Sequence, residues 1–178
     1  DFPALSGEGP HLSSGIVMAP SLAYMEQAYF DAKSSGWSRA PIVEILIPSR
    51  VDDSLAPQGT HVASLFCQHV HPDLGAVQPG RTWDDAREEV ADLMIDTVAR
   101  FAPNFRNLVV GRRALSPLDL ERDAGGLFPF QTVLGLELDA RHHGRVHVAA
   151  PPVANGGFER FDPALVADVA VLARADAR

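Results

Sequence analysis

Three observations predict an α+β fold, a mostly antiparallel or mixed sheet covered by helices. The apolar runs "PIVEILIPS" and "THVASLFCQHV" are joined by the turn-rich "RVDDSLAPQGT" and not by a crossover helix, which favours antiparallel neighbours. One long amphipathic helix follows them at 82–101. After Gly125-Gly126, "TVLGLELDA" and "RVHVA" alternate about the turn "RHHG", a hairpin pattern at 131–149. Strands and helices segregated in this way make an α+β architecture.

Each element has a local reason. Residues 1–13 are rich in Gly, Pro and Ser and read as a loop. "GIVMA" at 15–19 is a short strand. Ser21 then caps a helix whose residues Leu22, Met25, Ala28, Tyr29 and Ala32 share one face, and Gly36 stops it. The strand at 42–47 is apolar on both faces except for Glu44, so it belongs inside a sheet. Thr60–Val70 is its neighbour. Thr82 caps the long helix with Asp85 in a capping box, and Ala86, Val90, Leu93, Met94, Val98 and Phe101 form its buried stripe. "NLVVGRRAL" is a further strand. Ser116-Pro117-Leu118-Asp119 opens a short helix, with proline in its first turn. Asp162-Pro163 begins a predicted last helix over 162–175, with Leu165, Val166, Val169, Leu172 and Ala173 on one side.

Composition narrows the functional classes. The 178 residues carry a net charge of −8, with 46% hydrophobic and 21% charged residues. Such a chain can bury an ordinary core. An acidic chain without a basic stripe argues against nucleic acid or an anionic membrane as a partner. No apolar run is long enough to span a bilayer, and no signal segment is visible. The single cysteine, Cys67, lies in an apolar run. It reads as a buried thiol in a reducing, cytoplasmic setting and not as a nucleophile. The start at Asp1, without methionine, reads as a cleaved product or a piece of something longer.

No residue set predicts a complete catalytic site. The chain has no dinucleotide fingerprint, no phosphate-binding loop and no nucleophile elbow. His69 and His71 alternate on a predicted strand and would share one face; His142, His143 and His147 cluster at the predicted hairpin. Neither set has zincin spacing or cysteine partners, so both read as turn and edge residues and no metal ligand is assigned. The carboxylate pairs Asp52-Asp53 and Asp84-Asp85 suit a turn and a helix N-terminus. Trp37 and Trp83 read as packing anchors.

"PSLAYMEQAYFDAKSSGWSRAPIVEILIPSRVDDSLAPQGTHVASLFCQHV" and "WDDAREEVADLMIDTVARFAPNFRNLVVGRRALSPLDLER" together resemble the phytoene desaturase-like FAD/NAD(P)-dependent oxidoreductases. The nearest branch is the pyridine nucleotide-disulfide oxidoreductase domain-containing protein 2 group. The shared order is an "Ile-Pro-Ser" strand end, "Leu-Ala-Pro-x-Gly-x-His-Val", a long acidic helix, "Ala-Pro-x-Phe" and an "Asp-Leu-Glu-Arg" helix, from about Ser14 to Arg122. The resemblance implies a substrate-binding domain over residues 1–127, in an enzyme where flavin transfers hydride to or from an apolar substrate.

The family's N-terminal FAD fingerprint has no counterpart in this chain, nor has its later "Pro-Gly-Gly-Gly" flavin segment. Residues 128–178 therefore read as a divergent tail: a different ending, a shifted reading frame or a joined segment. The expected cofactor is none in this chain and FAD in the full-length parent. The expected partners are the parent's flavin domain or a second copy of the chain, and an apolar small molecule. The sequence does not decide whether the chain is an enzyme by itself. The alternative is a non-enzymatic ligand-binding or protein-interaction module on the same scaffold.

Overall fold

The computed structural model describes Phe2, residues 10–123, the short strands at 136–137 and 147–148, and residues 166–174. A 3-10 turn, Pro10–Ser13, leads into β1 (Ile16–Met18), α1 (Leu22–Ser35) and β2 (Trp37–Leu46). Two 3-10 turns, Pro48–Arg50 and Asp53–Leu55, connect to β3 (Thr60–Val70). Then come α2 (Leu74–Val77), α3 (Trp83–Phe101), α4 (Phe105–Leu108), β4 (Val109–Leu115) and α5 (Pro117–Asp123). The last described strands are β5 (Leu136–Glu137), β6 (His147–Val148) and β7 (Val166–Arg174). This is the α+β architecture expected. The main sheet has the order β1-β2-β3-β7-β4, antiparallel throughout, and β5 pairs with β6 separately.

The helix boundaries follow side-chain chemistry legible in the sequence. Ser21 Oγ accepts the Tyr24 N–H at 3.1 Å and opens α1. At α3 the reciprocal box forms: Thr82 Oγ1 accepts the Asp85 N–H, and Asp85 accepts the Thr82 N–H at 3.0 Å. Ser116 and Asp119 repeat that exchange at α5, with Ser116 fully buried. Each exchange satisfies donors that a helix start leaves open. Gly36 ends α1 at φ +93°, and a Cβ there would come within 2.6 Å of Leu74 Cδ1. That position excludes side chains on both conformational and steric grounds.

The main core lies between α3 and one sheet face. Met18, Val43, Ile45, Ala63, Leu65 and Cys67 face Val90, Met94, Ile95 and Val98, all at most 2% exposed. Ile42–Ile47 and Thr60–Val70 thus contribute to neighbouring strands under the α3 helix, as their patterns predict. The α3 stripe is wider than expected: Ala91, Ile95 and Thr97 are buried as well, while Leu93 and Phe101 pack at its margin.

Two expectations are corrected. The predicted α1 face buries only Ala28 and Ala32, while Leu22 is 84% and Met25 and Tyr29 are 37% exposed. The helix meets the sheet through its small residues, whose close approach leaves the larger members of the stripe outside. The second correction is larger. The predicted helix at 162–175 is instead the strand β7, inserted between β3 and β4. "VADVAVLAR" fits a period of 2 as well as 3.6, and its valines favour extended backbone. Its register sets Ala167, Val169 and Val171 opposite the buried Cys67, Leu65 and Ala63, and its backbone pairs the inner edges of β3 and β4. Those edges would otherwise leave a row of donors and acceptors unmatched. The expected hairpin at 131–149 is represented by the pairs Leu136↔Val148 and Glu137↔His147; the rest of it lies outside the described residues.

Candidate functional site

The two faces of the sheet differ. On the α3 side the side chains are sealed. On the other, α1 lies against β2 and β3, where Ala28, Ala32 and Ile42 are buried apart from the main core. Further along β1 and β2 that cover ends: Val17 is 52% and Leu46 38% exposed. At the centre of this stretch is Glu44, half-buried. Its register partners are Val17 on β1 and Phe66 on β3, and its same-face neighbours along β2 are Ile42 and Leu46. The carboxylate therefore sits in an apolar ring, with no hydrogen-bond or ion-pair partner among the described residues. It lies over Gly15, where an added Cβ would be 3.2 Å from Glu44 Oε1.

The other candidates resolve into structure. Cys67 is fully buried, and desolvation pushes its thiol up to about 12, which disfavours the thiolate a nucleophile needs. The expected pairing of His69 and His71 on one strand face does not form. His69 takes a left-handed backbone, φ 62°, and stacks edge-on to Tyr29 at 5.4 Å, while β3 ends at Val70. Burial lowers the pKa of His69. His71 instead joins the Trp83 packing: its carbonyl accepts the Trp83 indole N–H at 3.0 Å. His142 and His143 lie outside the described residues, and His147 is placed only as part of β6. Among the described residues no cluster of His, Cys, Asp or Glu could hold a metal.

Asp52 accepts the Ser54 hydroxyl and N–H at 2.6 and 3.0 Å, and these bonds hold its carboxyl below the usual range. Asp85 is the α3 cap and Asp84 pairs with Arg87. Trp37 and Trp83 pack against each other at a tilt of 43°, centroids 5.9 Å apart, and are nearly fully buried, so they are anchors.

Two arrangements were not read from the sequence. Ser49 Oγ accepts the Val62 N–H at 3.1 Å and lies 3.1 Å from His61 Nδ1 and 3.3 Å from the Val62 carbonyl. This resembles a serine–histidine dyad, but Ser49 is 5% exposed and its oxygen is occupied by the backbone. It fastens the turn at 48–50 to β3. The signal was "IPS" followed by "THV", which the connecting turn brings together. The second arrangement is a lattice of ion pairs: Arg112 with Asp92 (2.7 Å) and Glu88 (2.9 Å), Arg106 with Asp92 and Asp96, and Arg87 with Asp119 (3.0 Å). It ties β4, α4 and α5 to α3. A shallow depression of about 300 Å³ beside Ile95, Val109 and Gly111 includes Arg106 and Arg112, whose charges are already matched by carboxylates.

A flavin pyrophosphate would require a helix N-terminus with free N–H groups behind a glycine turn. In this structure Ser21, Thr82 with Asp85, and Ser116 with Asp119 fill the starts of α1, α3 and α5, and two of these caps carry a carboxylate that repels phosphate. The described residues do not fit that group.

The geometry defines a domain that seals one sheet face and offers the other, and the similar proteins are oxidoreductase-domain proteins. "Pyridine nucleotide-disulfide oxidoreductase domain-containing protein 2" from Rattus norvegicus is 41% identical over 102 residues, covering 57% of this chain and 17% of that protein. The protein of the same name from Mus musculus is 36% identical over 116 residues, covering 65% of this chain and 19% of that protein. Over that stretch the chain is similar to these proteins, as its motifs predicted. The chain spans less than a fifth of the length of the relatives it matches. No family model and no solved structure matches it significantly.

Proposed function

We propose that the chain is the substrate-domain portion of a phytoene desaturase-like, FAD-dependent oxidoreductase, with the half-covered face of β1–β3 as the wall turned toward an apolar substrate. The observation behind this is the exposure of Val17 and Leu46 beside the half-buried Phe66, inside the segment that resembles the oxidoreductase family. An exposed apolar patch ringed by polar residues marks an interaction surface. Flavin would be held by the rest of the longer parent and not by this chain, which by itself would be inactive. A reducing, cytoplasmic compartment suits the lone thiol of Cys67.

The test is a two-arm titration of the purified chain. Added FAD should leave the protein colourless and its Tm unchanged; saturable FAD binding at micromolar concentration or tighter overturns the division of labour. Added 1-decanol, a neutral apolar probe, should shift the NMR signals of Val17, Leu46 and Phe66. Shifts absent from that face, or scattered over the whole surface, overturn its reading as the substrate wall.

A further inference from the structure

We infer that Glu44 is the polar anchor of this face and that the ligand it receives is an apolar molecule carrying a protonated amine. This rests on the proposed apolar wall and adds the headgroup chemistry. A carboxylate drawn partly out of water normally acquires a hydrogen-bond donor or a cation, because desolvation without one is costly. The other half-buried carboxylates among the described residues follow that rule: Asp31, Asp92 and Asp119 all have partners. Glu44 does not, although Ser64 and Gln68 lie on the same face of the neighbouring strand.

All four of its nearest same-face positions, Val17, Ile42, Leu46 and Phe66, are apolar. Gly15 lies close beside it, where an added Cβ would come within 3.2 Å of Oε1 and 3.5 Å of Leu46 Cδ2. The partly exposed apolar side chains Val17, Leu46 and Phe66 around an unpartnered carboxylate are complementary to an alkyl body with one positive head. An apolar ligand without a donor would leave the carboxylate desolvated and unpaired. An anionic one would be repelled.

The experiment titrates the full chain with decylamine, 1-decanol and decanoate at neutral pH below their micelle concentrations, following the NMR shifts of the face. Decylamine should bind roughly ten-fold or more tighter than 1-decanol, as a charge-assisted hydrogen bond implies, and decanoate most weakly. Because the protein is acidic overall, Glu26→Gln on the exposed side of α1 is the control for general attraction and should keep the preference. Glu44→Gln should erase it, bringing decylamine down to the affinity of 1-decanol. Equal affinities for amine and alcohol, or a preference that survives in E44Q or disappears in E26Q, overturns the inference and leaves the apolar wall standing. Failure of all three probes to bind the face overturns both. Should E44Q not fold, the ranking of the three headgroups on the unaltered chain decides.

Discussion

The two faces of the β1–β2–β3 sheet are made by alternate residues of the same strands, yet one is a core and the other is a surface. Val43, Ile45, Leu65 and Cys67 meet α3 and are sealed, whereas Glu44, Leu46 and Phe66, one residue away in each strand, are only partly covered. The difference arises in the helices. α3 carries a broad stripe of large apolar side chains, while α1 approaches through Ala28 and Ala32 and covers only part of its side. Stability therefore resides on one face and recognition is free to reside on the other.

The comparison breaks most visibly in the core. Leu65→Ala or Met94→Ala should cost about 2–5 kcal/mol in urea unfolding, whereas Leu46→Ala on the open face should cost less than about 1. Similar losses at Leu46 and Leu65 would mean the open face is covered in solution. The next effect is at the turn that holds the open face to its strand. Ser49→Ala removes the oxygen that accepts the partly buried Val62 N–H and should cost about 1–3 kcal/mol. A neutral result would show that water replaces it.

A smaller effect is set by pH. Burial alone would raise the Asp119 carboxyl, but its bonds from Ser116 and from Arg87 outweigh that and hold it below the ordinary carboxylate range. Because the folded value is depressed, the stabilisation is present above the unfolded carboxyl's pKa and is lost as pH falls through the folded one. The acid limb of the Tm profile should therefore flatten in Asp119→Asn, with little change in the position of its neutral plateau relative to other α5 cap variants. An acid limb identical to that of the unaltered chain would assign acid sensitivity to other carboxylates, such as Asp92, which is lowered chiefly by its bond from Arg112.

Local chemistry explains what was legible beforehand. Caps at Ser21, Thr82 and Ser116 and the two-sided apolar run at 42–47 act within a few residues, so α1, α3, α5 and the central strands could be placed from sequence, whereas the single-turn helices α2 and α4 could not. The α1 face could not be, because helical spacing says which residues share a stripe and not how near the sheet lies; Ala28 and Ala32 decided that. The strand β7 could not be, because nine residues of mixed alanine and valine satisfy both periodicities, and only the vacancy between β3 and β4 selects the extended form. Ser49 and His61 are brought together by the turn between them. Glu44 was visible as the one break in an apolar strand, but whether a partner awaited it depended on β1 and β3.

Glu44→Gln gives the smallest expected change in stability and the sharpest statement of the comparison. The substitution keeps the side chain's volume and removes a charge that no described residue compensates. Stability at neutral pH should stay within about 0.5 kcal/mol or rise slightly, since relieving an unpaired, partly desolvated carboxylate costs the fold nothing. A structural role would instead show as a loss well above about 1 kcal/mol, the usual consequence of breaking a buried charge–partner contact. Urea denaturation of the two proteins side by side checks it. A stabilised or unchanged E44Q that also loses its preference for decylamine would separate folding from recognition at a single residue, on the face of the sheet that α3 does not touch.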